Sequence, residues 1–412
     1  MDSVGRHSAG GREVAALFAG TRLGLFVIAL IAVRYFPLNS YNRDHNAAFA
    51  VPVVAGDRWR EPPVAADQAA PPQSKHAEPS WIRVWAHWDA LWYARVAELG
   101  YAGRFDVDDL TGEHREPPAT CYYPLMPLLM RGLSPILGSP LRAALVISNL
   151  SLIAALWLLV GLTRRLVGDD AAAIGAALLL VYPPGFFLSA PYAEALGLAL
   201  ALGVARCVVE RRFWAAGSLG FLAALARPSG VFLAVLIAVE WWSAWRERPG
   251  RARLGAALAG VLPLLGLAAY LFYCWRVFGD PLAPLHCQQT GRGPLGWPPG
   301  PIRELSAGPI SLMATRRSVV ELVAVGLFVV LTALGFRYLP LGFATYGLVA
   351  ILVPLATSLF SFSRVSMAAF PVFLTAAALL RRRPAVTLGV CAFLALLLGV
   401  FAVLFFTWNW IG

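Results

Sequence analysis

Asp89, Glu194, Arg227 and Arg364 are the side chains of this sequence best placed to do chemistry. Each is ionisable and each lies at the end of an apolar stretch, where a charge is costly and needs a reason. Asp89 stands in the run Trp85-Ala-His-Trp-Asp-Ala-Leu-Trp-Tyr93, just after the first apolar stretch. Trp81, Trp85, Trp88 and Trp92 are spaced by four, three and four, which predicts one stripe on a helix over 81–99. Such a stripe suits the headgroup layer of a membrane, where an indole ring is apolar and its N–H stays wet. Asp89 and Tyr93 share a neighbouring face, so the segment reads as an interfacial helix presenting a carboxylate at the membrane surface. A lipid-linked headgroup would meet a base there. The plainer reading is a helix-surface charge among interfacial aromatics.

The other three carry the same choice. Glu194, in Ser189-Ala-Pro-Tyr-Ala-Glu194, either caps a helix N-terminus, worth ~0.3–1 kcal/mol, or contacts a sugar hydroxyl or braces an arginine. Arg227, in Arg227-Pro-Ser-Gly230, and Arg364, in Ser363-Arg-Val-Ser366, fall at tight turns between apolar stretches. Each is either a snorkelling residue or a phosphate ligand. His286 lies in a Gly- and Pro-rich segment with Gln288, Gln289, Arg292 and Arg303, and is a further candidate for substrate binding. Glu98 and the acidic patch at 106–109 are the fallback acids.

The elements that position these residues are read from composition. The 412-residue chain is 58% hydrophobic and 14% charged, with mean hydropathy +0.65. A soluble domain carries roughly a quarter charged residues, so this is an all-α polytopic membrane protein. Apolar stretches of span length fall near 14–36, 142–163, 170–189, 191–209, 212–227, 229–245, 254–276, 317–336, 341–360, 364–380 and 385–408, about eleven in all. The first is longer than a signal h-region and reads as a retained helix. Arg6 and Arg12, Arg164–Arg165, Arg211–Arg212, Arg246 to Arg253, Arg337 and Arg381–Arg383 recur at every second crossing. The positive-inside rule then puts the N-terminus in the cytoplasm and segments 37–141 and 278–316 outside, within one transmembrane domain over 1–412.

Several classes are excluded. The net charge of +11 is interleaved with apolar spans, which argues against nucleic acid as a partner. No GxxxxGK[ST], HExxH or CxxC pattern occurs, so nucleotide hydrolysis and thiol-ligated metal have no support. No internal repeat suggests a two-fold transporter, and the unusual charges sit at helix ends rather than mid-span, which disfavours a solute or lipid transporter. Cys121 and Cys287 both fall in segments placed outside, where a disulfide is chemically allowed.

With these residues placed, the chain resembles the GPI mannosyltransferase II (PIG-V) family and its bacterial relatives, within the GT-C integral-membrane glycosyltransferases. The resemblance rests on His87-Trp-Asp-Ala-Leu-Trp-Tyr with Gly100-Tyr101, then Tyr122-Tyr-Pro-Leu-Met-Pro, then Tyr182-Pro-Pro-Gly-Phe-Phe-Leu-Ser-Ala-Pro-Tyr-Ala-Glu194, then Ser363-Arg-Val-Ser with Phe370-Pro371. Arg227-Pro-Ser-Gly230 fits the family's Arg-x-x-Gly turn. The chain departs from the family at His87, at Val365-Ser366 and at Tyr122-Tyr123. The resemblance implies a GT-C-like bundle in the plasma membrane that transfers mannose from polyprenyl-phosphate-mannose, with inversion, on the external face. The acceptor would be a glycolipid or a cell-surface glycan. It implies Asp89 as general base, with Trp88, Tyr93, Glu194, Arg227, Arg364 and His286 around the substrate. A lipid monophosphate is already a reasonable leaving group, so no cofactor and no obligatory metal are expected. Another sugar or a protein acceptor is the alternative within the same fold.

Overall fold

In the computed structural model the described residues, 2–39, 78–101, 118–243, 250–292 and 316–409, form helices and turns with no strand. The Pro-rich stretch 52–77, the acidic patch 106–116, Arg246, Arg248 and Arg303 lie outside the described residues.

Helix α1 spans Asp2–Tyr35; α2 and α3 span Ser80–Arg83 and Asp89–Leu99. Next come α4 (Leu125–Leu137), α5 (Pro140–Leu166), α6 (Ile174–Val181), α7 (Glu194–Val209) and α8 (Phe213–Ala226). Helices α9 (Leu233–Ser243), α10 (Gly250–Phe278), α11 (Ala283–Arg292) and α12 (Arg316–Tyr338) follow. The chain ends with α13 (Leu341–Leu355), α14 (Phe362–Val365), α15 (Pro371–Leu380) and α16 (Pro384–Phe406).

Five of these helices are long and apolar enough to cross a membrane: Val14–Tyr35, Pro140–Leu166, Ala257–Phe278, Val319–Tyr338 and Pro384–Phe406. Phe362–Ala368 with Pro371–Leu380 makes a sixth if that pair, bent by 87°, is one span. Most of their surface faces outward; Leu388, Phe393 and Leu396 of α16 are all exposed. Apolar side chains turned out over whole helices require lipid around them, so this is an α-helical multi-pass membrane protein. The other apolar stretches form shorter helices. Helix α6 has eight residues, about 12 Å of rise. It stops because Tyr182 precedes Pro183 and Pro184, which push residue 182 out of helical geometry and start the 3-10 turn Pro183–Leu188.

That break is held from the side. Arg22 of α1 donates to Ser189 Oγ at 2.7 Å and to the Leu180 carbonyl at 3.3 Å. The turn carries Phe186 and Phe187 into the core, where they meet Phe405 of α16 at 4.9 and 5.4 Å. One apolar cluster thereby joins α1, α5, α6, α7, α12, α13, α15 and α16, while α3, α4 and α5 share a second.

The tryptophan segment differs from the expected single helix over 81–99. The helix breaks between Arg83 and Asp89, and Trp88 takes φ 53°, a left-handed conformation strained for a tryptophan. Aromatic packing outweighs helical continuity here. Trp85 turns inward and meets Phe406 edge-on at 4.9 Å, and His87 stacks on Trp408 at 3.9 Å. Trp81 alone of the four keeps a largely open ring, at 53% exposure. The four rings therefore do not form one exposed stripe: Trp85 and Trp88 pack against the end of α16.

Candidate active site

The break at Trp88 makes Asp89 the first residue of α3. Glu194 is likewise the first residue of α7. Both carboxylates thus sit at helix N-termini, where the exposed N–H groups and the macrodipole favour negative charge. Two arginines from distant segments complete the group. Arg364 Nη1 lies 2.9 Å from Asp89 Oδ2, and Arg364 Nε lies 3.4 Å from Glu194 Oε1. Arg227 Nη1 lies 2.6 Å from the same Glu194 oxygen. The order is acid, arginine, acid, arginine. Side-chain exposure falls from 23% at Asp89 through 11% at Arg364 to 4% at Glu194, then rises to 15% at Arg227, so Glu194 is the enclosed member and Asp89 the most open.

Local sequence explains each placement. Arg227 is extended, with φ −155° and ψ 152°, because Pro228 follows it and disfavours helix at 227. The chain then packs back on α8 so closely that a Cβ on Gly230 would lie 2.2 Å from the backbone of Ala223. Only glycine permits that turn. A Cβ on Gly197, one turn into α7 from Glu194, would lie 2.9 Å from Arg227 Cδ, so this glycine is the gap through which the arginine reaches its acid.

Arg364 rides on the single turn α14. Its neighbour Ser363 donates to Glu321 twice, from the backbone N–H at 2.6 Å and from Oγ at 2.9 Å. Tyr182 donates to the Ser363 carbonyl at 3.0 Å. The guanidinium carbon lies 5.1 Å from the Phe187 ring centre and 5.6 Å from that of Tyr192, a cation–π wall beside the arginine. Tyr192 is itself fixed by donating to the His87 carbonyl at 2.7 Å.

Tyr93, one turn after Asp89, is buried beside the group and feels Arg227, Glu194, Asp89 and Arg364; burial pushes its hydroxyl above the usual tyrosine value. Trp88 directs its ring toward Trp408, 5.7 Å away. His87 is buried, with Nδ1 3.1 Å from the Phe405 carbonyl, and burial lowers its pKa to about 3. It is neutral at physiological pH and acts as a packing residue. The structure brings Asp89, Tyr93, Glu194, Arg227 and Arg364 together. His286 stands elsewhere, on α11, with Nδ1 2.8 Å from Asp280 Oδ2. Cys121 and Cys287 form a disulfide, with Cα atoms 5.4 Å apart. Among the described residues no three His, Cys, Asp or Glu side chains gather as a metal-ligand cluster.

Sequence reasoning gave no individual role to Glu321, Gly197, Phe187, Tyr122 or the end of α16. Glu321 was the most findable, since a lone carboxylate within an apolar helix calls for a partner. Tyr122 stacks on Trp92 at 5.8 Å; burial first, then the Asp89 charge, raises its hydroxyl well above the usual range. Beside it a cavity of about 320 Å3 opens between Tyr101, Pro124, Leu128, Tyr270 and Tyr273, with Arg131 at its wall.

The chain matches no protein-family model, and no curated protein matches it either.

Proposed function

We propose that this protein is an inverting membrane glycosyltransferase of the GT-C type, similar to the PIG-V family, that moves mannose from polyprenyl-phosphate-mannose to a glycolipid or cell-surface glycan. The observation that carries the reading is the convergence of Asp89, Glu194, Arg227 and Arg364 from four distant segments into one charge group. A transfer from a lipid phosphate needs a base for the acceptor hydroxyl and cations for the departing phosphate, side by side. The choice of mannose rests on the resemblance; the choice of a phosphate-bearing donor rests on the arginines.

In this reading Asp89 takes the proton of the acceptor hydroxyl. The hydroxyl oxygen forms its bond to the anomeric carbon as the bond from that carbon to the phosphate oxygen breaks. The electron pair leaves with the phosphate, which Arg364 and Arg227 stabilise. Glu194 holds both guanidiniums in place and keeps the desolvated site balanced in charge. The apolar cavity beside Tyr122 offers space for part of a lipid substrate. Eleven crossings, with short helices and 3-10 turns completing some of them, a cytoplasmic N-terminus and an external site belong to the same proposal. Reporter fusions check the orientation: residues 246–253 are expected in the cytoplasm.

The decisive measurement is transfer of labelled mannose from polyprenyl-phosphate-mannose by purified protein. Asp89→Asn is expected to reduce turnover by about 100-fold or more. Near-wild-type turnover in that variant refutes the assignment and moves attention to Glu98 and the patch at 106–109.

A further inference from the structure

Glu321 is a buried acid that the proposed transfer does not use. It lies on α12 among Val319, Val320, Leu322 and Val323, where a carboxylate is costly and needs donors. Both of its oxygens meet one residue. Oε2 accepts from the Ser363 backbone N–H at 2.6 Å, and Oε1 accepts from Ser363 Oγ at 2.9 Å. The next residue in the chain is Arg364.

The two arginines of the site are held by different means. Arg227 is fixed locally, by Pro228 after it, by the Gly230 turn and by the gap at Gly197. Arg364 has no such local frame. It rides on α14, one turn long, within the 87° bend between Phe362–Ala368 and Pro371–Leu380, and Ser361 ahead of it has φ 58°. A helix of four residues closes too few of its own hydrogen bonds to hold its direction. Neighbouring helices hold it instead. Phe328 of α12 meets Phe362 edge-on at 6.1 Å, Tyr182 donates to the Ser363 carbonyl at 3.0 Å, and Tyr346 of α13 donates to the Ala368 carbonyl at 2.8 Å. Among these supports Glu321 is the charged one, and hydrogen bonds to a carboxylate are stronger than neutral ones. It also grips the residue next to the arginine. A rotation of this turn would swing the guanidinium off Asp89 and Glu194, now 2.9 and 3.4 Å away.

We infer that Glu321 is a positioning residue for Arg364: by gripping Ser363 it sets where the guanidinium points. Its consequence for transfer rests on Arg364 being a ligand of the donor phosphate. The test therefore reads Arg364 itself as well as transfer. Hydroxyphenylglyoxal modifies arginine, and mass spectrometry of the full-length protein in detergent gives the labelling rate at Arg364, with Arg227 as the internal reference. Glu321→Ala removes both acceptors and is expected to raise labelling at Arg364 about tenfold. Ser363→Ala removes only the hydroxyl donor and should raise it about threefold. Arg227 should change less than about twofold in either variant, and the double variant should match Glu321→Ala, because the hydroxyl acts through the carboxylate. Unchanged labelling at Arg364, or an equal rise at Arg227, overturns the inference, the second by showing general loosening. Should Glu321→Ala fail to fold, Ser363→Ala carries the same two outcomes. In the transfer assay Ser363→Ala should raise the donor KM about threefold with kcat nearly unchanged, and should add nothing on an Arg364→Ala background. An unchanged donor KM beside the expected labelling pattern would sink the phosphate role of Arg364 and leave the Glu321 grip standing.

Discussion

Asp89 and Glu194 are chemically alike and similarly placed, each a carboxylate opening a helix, yet the tertiary structure treats them differently. Glu194 is enclosed, and one of its oxygens meets both arginines. Asp89 keeps nearly a quarter of its side chain open and is held by one arginine. A buried acid between two guanidiniums is a fastening: removing it strands cations in a dry place. An acid with an open edge can meet a substrate hydroxyl. The contrast teaches that in a charge group of this kind exposure, more than residue type, separates the acid that reacts from the acid that holds.

The contrast breaks first at Glu194. Replacing it with Ala leaves the half-buried Arg227 without its acid, and should cost about 3 kcal/mol of stability. A thermal midpoint equal to wild type in detergent would show that Glu194 is no fastening. Asp89→Asn should do the reverse, with turnover down about 100-fold and the midpoint almost unmoved. If Asp89→Asn melts as early as Glu194→Ala, the two acids do one job and the division fails.

Next come the arginines. Arg364 touches both acids and Arg227 only the enclosed one, so Ala at either should weaken donor binding by roughly 1.5–3 kcal/mol, with Arg227→Ala also losing stability. Lys should restore only part, since it lacks the planar fork. Donor binding unchanged in both Ala variants returns them to the snorkelling reading. Near neutral pH the smallest effect belongs to His87, beside the open acid. Its folded pKa of about 3 lies below the unfolded value, so the unfolded chain binds the extra proton between the two. Stability should be full above pH ~6.5 and fall by about 1.4 kcal/mol per pH unit as the pH drops toward 3. His87→Phe, keeping a ring on Trp408, should flatten that slope; an unchanged slope would place the acid sensitivity at another group.

Much of the site was legible in sequence because charge is costly in an apolar chain. Asp89, Glu194, Arg227 and Arg364 stood out by type and position, and the structure gathers all four. His286 looked similar by composition but lies on α11 with Asp280, because a polar residue in a Gly/Pro-rich segment carries no comparable cost. Tyr122 and Phe187 stood in the motifs that carry the resemblance but showed no role there, since aromatic residues are ordinary in such chains and their roles come only from what they face. The regular spacing of the four tryptophans predicted one helix, but spacing cannot weigh a helix against rings drawn into a core two hundred and more residues away in sequence.

What the sequence determined alone was the solvent and the ends of the elements. Composition demanded lipid, proline placed the breaks at 182 and 227, and Gly230 allowed the turn that follows. Those effects act within a few residues, so local chemistry suffices. Which acid is enclosed, which arginine is shared and where the helix before Asp89 breaks were decided only by the tertiary structure. Each depends on a neighbour brought from far along the chain: Arg364 between two acids, Glu321 beneath the turn that carries it, and Phe405, Phe406 and Trp408 behind the tryptophan segment. Long-range contacts set burial, and burial sets what a charge can do.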